Sequence, residues 1–270
     1  MTPKTVTIIG LENFPLVKAG DDLAKMIVEA TVKNNVEIED KDIIVVSQKI
    51  VSKAEGRVVK FEEINPSEKA KELAEKVQRD PKLVELVLKE TDSIVKASPE
   101  ILIVKDKRGL ICINAGVDKS NVPRNAYSLL PENPDESARK IKKEIEKLTG
   151  KKVAVVIVDT FSRPFRRGQV EFAIGVAGIK PFKDYRGQRD LYGNLLKVKN
   201  VAIVDEIACA AELVMGQAKE AIPVAIIKNL DRAEASEEAS IKELSISHQE
   251  DLFRETLKGK DYFSFPPQSS

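Results

Sequence analysis

Short apolar runs, each bounded by polar turns, alternate along this chain with segments of helical period. Val6–Leu11 reads as a first strand that ends in the turn Glu12-Asn13-Phe14-Pro15. Asp21 and Asp22 then open a helix through about Lys33, with Leu23, Ile27 and Ala30 on one face. Ile43–Val46 is a short buried strand leading into Ser47–Lys53, where Lys49 and Lys53 stand four apart and would share a helix face. Pro66-Ser67 starts a helix with a charged face through about Gln78, and Asp80-Pro81 starts another through Glu90. Three strands follow at Ser93–Lys96, Ile101–Lys105 and Leu110–Asn114, the last two joined as a hairpin around Asp106–Gly109. Pro131–Asp135 reads as a linker, and Ser137–Leu148 as an amphipathic helix that buries Ile141, Ile145 and Leu148 and stops at Gly150.

The second half continues the alternation. Val153–Val158 is a buried strand, Phe172–Val176 a second apolar run, and Lys180–Gly193 a polar, glycine-containing covering loop. Val198–Val204 reads as a strand, Asp205–Met215 as a helix with Ile207, Ala211 and Val214 on one face, and Ile222–Ile227 as a returning strand. Ala235–Ser247 reads as a mobile connection, His248–Leu257 as a final helix, and the residues from Phe263 as a frayed tail. Irregular alternation with hairpin-linked strands predicts a mixed sheet of the α+β or α/β class, with no doubly wound parallel core.

Composition narrows the function classes. The chain has 270 residues, 42% hydrophobic and 32% charged, with 44 basic and 43 acidic residues for a formal net charge of +1. Such a balance provides no single-sign field for nucleic acid or an anionic membrane. No apolar run reaches the length of a membrane span, and the N-terminal apolar stretch is too short for a secretory signal, so a cytoplasmic protein is expected. Cys112 and Cys209 sit in apolar runs and read as buried, inert thiols. The single histidine, His248, lies in a polar segment and reads as a surface residue. One histidine argues against the usual zinc sites and against Ser-His-Asp hydrolysis. Neither GxxxxGK[ST] nor GxGxxG after a strand occurs, which argues against P-loop and Rossmann sites.

The remaining chemistry centres on Val158–Gly178. The apolar strand delivers Asp159 and Thr160 at its end, and Arg163, Arg166 and Arg167 follow before Gly168. A carboxylate and a hydroxyl that hold a hard cation, followed by guanidinium groups for phosphate oxygens, make a site for a metal-bound phosphate ester. Taken alone, the same residues also read as a solvated charged turn. Asp118, at the tip of the loop Asn114–Asn121, is a second strand-end carboxylate suited to octahedral Mg²⁺ or Mn²⁺.

Several blocks then fall in one order: Ser52-Lys53-Ala54-Glu55-Gly56-Arg57, Asn114-Ala115-Gly116-Val117-Asp118, Asp159-Thr160 with Arg163–Gly168 and Ala173-Ile174-Gly175, Asp190-Leu191-Tyr192-Gly193, Asp205-Glu206-Ile207-Ala208 and Met215-Gly216. Together, over roughly Glu12 to Ile227, they resemble the signature of the coenzyme F420-0:L-glutamate ligases. The resemblance implies a GTP-dependent ligase that adds L-glutamate to the lactyl carboxylate of a deazaflavin precursor, then a second glutamate in γ-linkage. It implies two divalent ions, Mn²⁺ or Mg²⁺, assistance by K⁺, and an intertwined homodimer of two-lobed subunits. The whole would be one unit over residues 1–264, with a frayed tail at 265–270.

Carried over residue by residue, the resemblance assigns Asp118 and Asp159 to one metal, and Thr160 and Gln217 to a second. Gln217 departs from the glutamate of some relatives, and a neutral amide is a weaker ligand. Glu12, Asn13, Phe14, Pro15, Gln48, Lys49, Lys53 and Asn121 fall at nucleotide-contacting positions. So does the loop Met215, Gly216, Gln217, Ala218, Lys219, Glu220, Ala221, Ile222 and Pro223, which is less glycine-rich here than in some relatives. Phe161-Ser162 also departs from the pattern expected after Asp-Thr. Lys53 and Arg166 are expected to neutralise charge during phosphoryl transfer beside Asp159, while Arg163 and Arg167 read equally as surface or dimer contacts. Two rival readings remain: a ligase with another acceptor or amino acid, and a nucleotide-binding regulator without catalysis.

Overall fold

The computed structural model describes residues 4–247 and 249–251. In chain order the elements are β1 (Thr7–Gly10), α1 (Leu23–Lys33), β2 (Ile43–Ser47), α2 (Gln48–Ala54), β3 (Val58–Lys60), α3 (Glu68–Val77), α4 (Pro81–Glu90), β4 (Thr91–Ser98), β5 (Ile101–Asp106), β6 (Ile111–Ile113) and β7 (Ala126–Ser128). Then come α5 (Pro134–Thr149), β8 (Ala154–Ser162), β9 (Gln169–Ile179), β10 (Phe182–Asp184), β11 (Asn200–Ala202), α6 (Ile203–Met215), β12 (Val224–Lys228) and β13 (Ala235–Ser236). The class is α+β. A six-stranded mixed sheet runs β1-β12-β2-β8-β9-β13, in which only β2 and β8 pair in parallel.

The apolar runs explain the large sheet. In β2, Ile44 and Val46 pack with α1 and α5, whereas Ile43 and Val45 pack with α6 on the opposite face. Strands buried on both faces read as unbroken hydrophobic segments, as β2, β8 and β12 do. A further core gathers Ile64, Leu86, Val87, Leu102, Val104, Val117 and Tyr127 between α4, the β4-β5-β6 sheet and the β3-β7 pair. Helix starts follow their caps: the side chains of Asp22, Ser67, Asp80 and Asn133 each accept a backbone N–H of the first turn, with Pro81 and Pro134 just inside.

Several expectations change. The strand expected over Val153–Val158 runs from Ala154 to Ser162, because β9 pairs with it through Ser162↔Gln169, so the arginines sit in the turn of a long hairpin. Ile203 and Val204 are the first residues of α6 and not the end of a strand, because the core under the sheet buries both. Pro131–Asp135 contains the cap and first turn of α5, and Leu148 on that helix is exposed. Leu110–Asn114 is the shorter β6 followed by a tight turn at Asn114–Gly116. The Lys180–Gly193 segment includes β10, paired with β11. Ala235–Ser247 is packed: β13 pairs with β9, Ala239 is buried, and the Ser240 hydroxyl donates to Asp135 at 2.7 Å. Both cysteines are free and half-buried. His248, the helix expected there except for residues 249–251, and the tail fall outside the described residues. Among the described residues no helix is long and apolar enough to cross a membrane.

Candidate active site

Strands β5, β6, β8 and β9, helices α2 and α6 and the loops beside them enclose a cleft of about 850 Å³. Its floor is the end of β8. Val158 still packs in the core, and Asp159 and Thr160 follow as the strand leaves it. Register holds them there: Asp159 faces Phe172 and Thr160 faces Glu171 across the hairpin, past an irregularity in which β9 carries the extra residue Ile174. On one side, Ser47 caps α2 directly after β2, which aims Gln48, Lys49 and Lys53 at the cleft. On the other, Asn114, Ala115 and Gly116 take left-handed conformations that turn the chain towards Asp118. A Cβ on Gly116 would lie 2.5 Å from Leu130, so the turn requires glycine there. Asp118 is then fixed by backbone hydrogen bonds in both directions with Ser128.

The side chains form a connected polar network. Lys49 Nζ donates to Asp118 Oδ2 at 2.8 Å and to Ser128 Oγ at 2.9 Å, and Ser120 Oγ also donates to Asp118. Gln48 Nε2 donates to Asp159 Oδ1 at 3.4 Å, while Ser52 donates to Gln48 Oε1 at 2.9 Å. Burial works to raise the Asp118 pKa, but the Lys49 ammonium and the hydrogen bonds from Lys49 and Ser120 win and hold it at about 2. Asp159 behaves oppositely: burial pushes it up to about 6 despite the Thr160 backbone N–H, Lys49 and Gln48. Lys53 has no ion-pair partner among the described residues, and burial followed by repulsion from Lys49 lowers its pKa.

Glu171, which the sequence did not single out, completes the floor. Thr160 Oγ1 donates to Glu171 Oε1 at 2.9 Å, and Gln217 Nε2 reaches the same oxygen at 2.5 Å. Burial raises Glu171 to about 7, with Asp159 and Glu212 adding to the effect. Phe14, Pro15, Asn121 and the whole Met215–Pro223 loop line the cleft. That loop folds on itself, with Glu220 accepting the Ala218 N–H at 2.7 Å. Glu12 and Asn13 stand outside the lining, the Glu12 N–H donating to Asn34 Oδ1 at 3.0 Å. Arg166 is exposed and also outside it, whereas Arg163 is part of the wall. Ile103, Ile111 and Ile113 add an apolar side that the sequence reading did not connect to the site.

A sequence model of the family described as F420-0:Gamma-glutamyl ligase matches residues 12–229, a span that holds every residue of this cleft. The chain belongs to the F420-0:gamma-glutamyl ligase family. It is 43% identical over 249 residues to the coenzyme F420:L-glutamate ligase of Methanothermobacter thermautotrophicus, covering 92% of this chain and 99% of that protein. It is 44% identical over 253 residues to the protein of that name from Archaeoglobus fulgidus, covering 94% and 98%. The Methanocaldococcus jannaschii protein of that name is 45% identical over 253 residues, covering 93% and 98%.

The donor set fits a divalent ion of the kind this family resemblance implies. Glu171 is buried and Asp159 half-buried, neither has an ion-pair partner among the described residues, and such desolvated acids call for a cation. Asp118, Asp159, Thr160, Glu171 and the Gln217 carbonyl present oxygens, which suit Mg²⁺ or Mn²⁺. Among the described residues no group of three or more His, Cys, Asp or Glu side chains forms a ready-made metal cage. One or two carboxylates completed by phosphate oxygens and water is the usual arrangement for Mg²⁺.

Proposed function

We propose that this protein joins L-glutamate to coenzyme F420-0 in amide linkage, with GTP as the energy source, and then adds a second glutamate to the γ-carboxylate of the first. The observation that carries the reading is one cleft in which Asp118, Asp159, Lys49 and Lys53 converge beside the Met215–Pro223 loop. The names of the relatives supply the acceptor and the amino acid.

In this reading the γ-phosphoryl group of GTP passes to the acceptor carboxylate, giving GDP and an acyl phosphate. The glutamate nitrogen attacks the carbonyl carbon, the carbon–oxygen bond to phosphate breaks, and the nitrogen loses its proton. Such chemistry rests on positioning and charge neutralisation, which suits a site built from lysines and carboxylates. Lys53 supplies an unpaired positive charge to the cleft, and Lys49 is fixed by Asp118 and Ser128. Asp118 and Asp159 would hold one Mn²⁺ or Mg²⁺, and Thr160, Gln217 and the adjacent Glu171 a second. When bound, these ions would neutralise phosphate charge. The apolar side at Ile103, Ile111 and Ile113 offers a surface for a flat aromatic acceptor. The assistance by K⁺ that the resemblance implies is part of the reading, without an assigned residue.

The decisive experiment is mass spectrometry of the product formed from F420-0, L-glutamate, GTP and Mn²⁺. One and then two added glutamyl residues, with GDP released in proportion, are expected. Another amino acid or acceptor used in preference would favour the rival ligase, and no GDP at saturating substrates would favour the regulator. In the same assay Asp159→Asn should lower turnover by about a hundredfold or more and weaken Mn²⁺ binding by calorimetry.

A further inference from the structure

A second, smaller cavity of about 270 Å³ opens on the other side of the Asp118 loop, lined by Arg79, Asp80, Leu83, Lys119 and Tyr127. Asn114, Val117 and Asp118 line both cavities, so the two adjoin at the carboxylate already placed in the main cleft. The charges in the small cavity have an unusual balance. Arg79 follows the left-handed cap of α3, and its Nη2 donates to the Glu100 carbonyl at 2.6 Å. Lys119 Nζ sits 4.8 Å from the ring centroids of both Phe61 and Tyr127. Neither cation forms a salt bridge with a carboxylate among the described residues. Aromatic faces position an ammonium without cancelling its charge. Among the described residues Asp80 is the one acid of the cavity besides Asp118, fixed by the Tyr127 hydroxyl at 3.2 Å and by capping α4.

Two positioned cations for anionic ends, and the Asp80 carboxylate for an ammonium, are the chemistry of an α-amino dicarboxylate. The volume lies just under the range of about 300–1,000 Å³ typical of drug-sized ligands, which suits a single amino acid. We propose that this cavity is the binding site of the L-glutamate substrate, with Arg79 and Lys119 each receiving one carboxylate and Asp80 the amine. The identity of the ligand rests on the ligase reading above; the charge pattern does not.

Both cations are on the surface, so Arg79→Gln and Lys119→Gln should fold normally. Each should raise KM for L-glutamate about tenfold or more, the weight of a lost charge-assisted hydrogen bond, with KM for GTP unchanged. Arg79→Lys and Lys119→Arg should restore much of the affinity. Preference for L-glutamate over L-glutamine should collapse in one of the two glutamine variants, an effect that a purely structural role would not produce. Calorimetric titration of L-glutamate into the protein with GDP and Mn²⁺ reads the pocket without turnover. Unchanged glutamate affinity in both glutamine variants, with the wild-type protein making product, overturns the pocket alone. Absence of product from the wild-type protein, with glutamate binding still lost in both variants, overturns the reaction and sustains the pocket.

Discussion

Arg163 and Arg166 share the turn of the β8–β9 hairpin, yet only Arg163 lines the cleft. Its Nη2 donates to the Arg167 carbonyl at 3.3 Å, and its Nε is buried without a hydrogen-bond partner among the described residues. A buried donor left unsatisfied costs about 1–3 kcal/mol, and an anion that draws the guanidinium into new contacts would recover part of that. Arg163→Ala should therefore lower kcat/KM at least about tenfold, whereas Arg166→Ala should stay within about twofold. Steady-state kinetics on the two variants decides, and the reverse order would return the role to Arg166. The same hairpin marks the limit of legibility at this scale. Asp159 stands out in the sequence because an unbroken apolar run ends at it. Glu171 does not, because its burial arises from a cross-strand partner, Thr160, and from Gln217, 46 positions away.

Glu90, the last residue of α4, shows how elements are tied behind the site. Its Oε2 meets Arg57 Nη2 and Arg108 Nη1, each at 2.8 Å. Arg57 Nε continues to the Leu130 carbonyl, and Arg108 Nε to Asp106. One carboxylate thus links α4, the segment after α2 and the β5–β6 turn. Burial works to raise the Glu90 pKa, but the hydrogen bonds and charges of Arg108 and Arg57 hold it below the ordinary value. A folded pKa below the unfolded one gives stability that is present above the unfolded value, about 4.3, and lost as pH falls through the folded one. Glu90→Gln takes from the half-buried Arg57 its carboxylate partner and leaves Arg108 with Asp106 alone, so it should cost about 3 kcal/mol at pH 7. Denaturant melts of both proteins from pH 7 to pH 3 should show that gap narrowing below about pH 4; a constant gap would mean the loss is packing alone. Elements differ in how far the sequence reveals them for a related reason. The strands β2, β8 and β12 carry their own unbroken apolar signal. The three-residue strands β3 and β7 carry none, because they exist through pairing with each other and through the bridge from Ser128 to Asp118.

Across the whole molecule the least self-sufficient part is the arm from β10 to β11. It is well ordered internally: β10 pairs with β11, Gly187 and Leu196 exchange hydrogen bonds with their neighbours across it, and Asp190 accepts two backbone N–H groups and the Asn194 side chain at the tip. Yet it presents Leu191, Tyr192 and Val198 to solvent at 101%, 92% and 89% exposure. A rigid hairpin that displays apolar side chains outward loses free energy until something covers them. The family resemblance implies a homodimer, and a second copy is the partner expected at this arm. The wild-type protein should run as a dimer in light scattering at micromolar concentration, and the double variant Leu191→Asp, Tyr192→Asp should shift it to monomer. Removing two buried side chains of about 1.5 kcal/mol or more each raises the dissociation constant at least about a hundredfold. The arm makes few contacts with the sheet, so the circular dichroism spectrum and melting of the monomer should change little. A wild-type monomer would end the dimer reading, and a double variant that stays dimeric would move the interface elsewhere on the molecule.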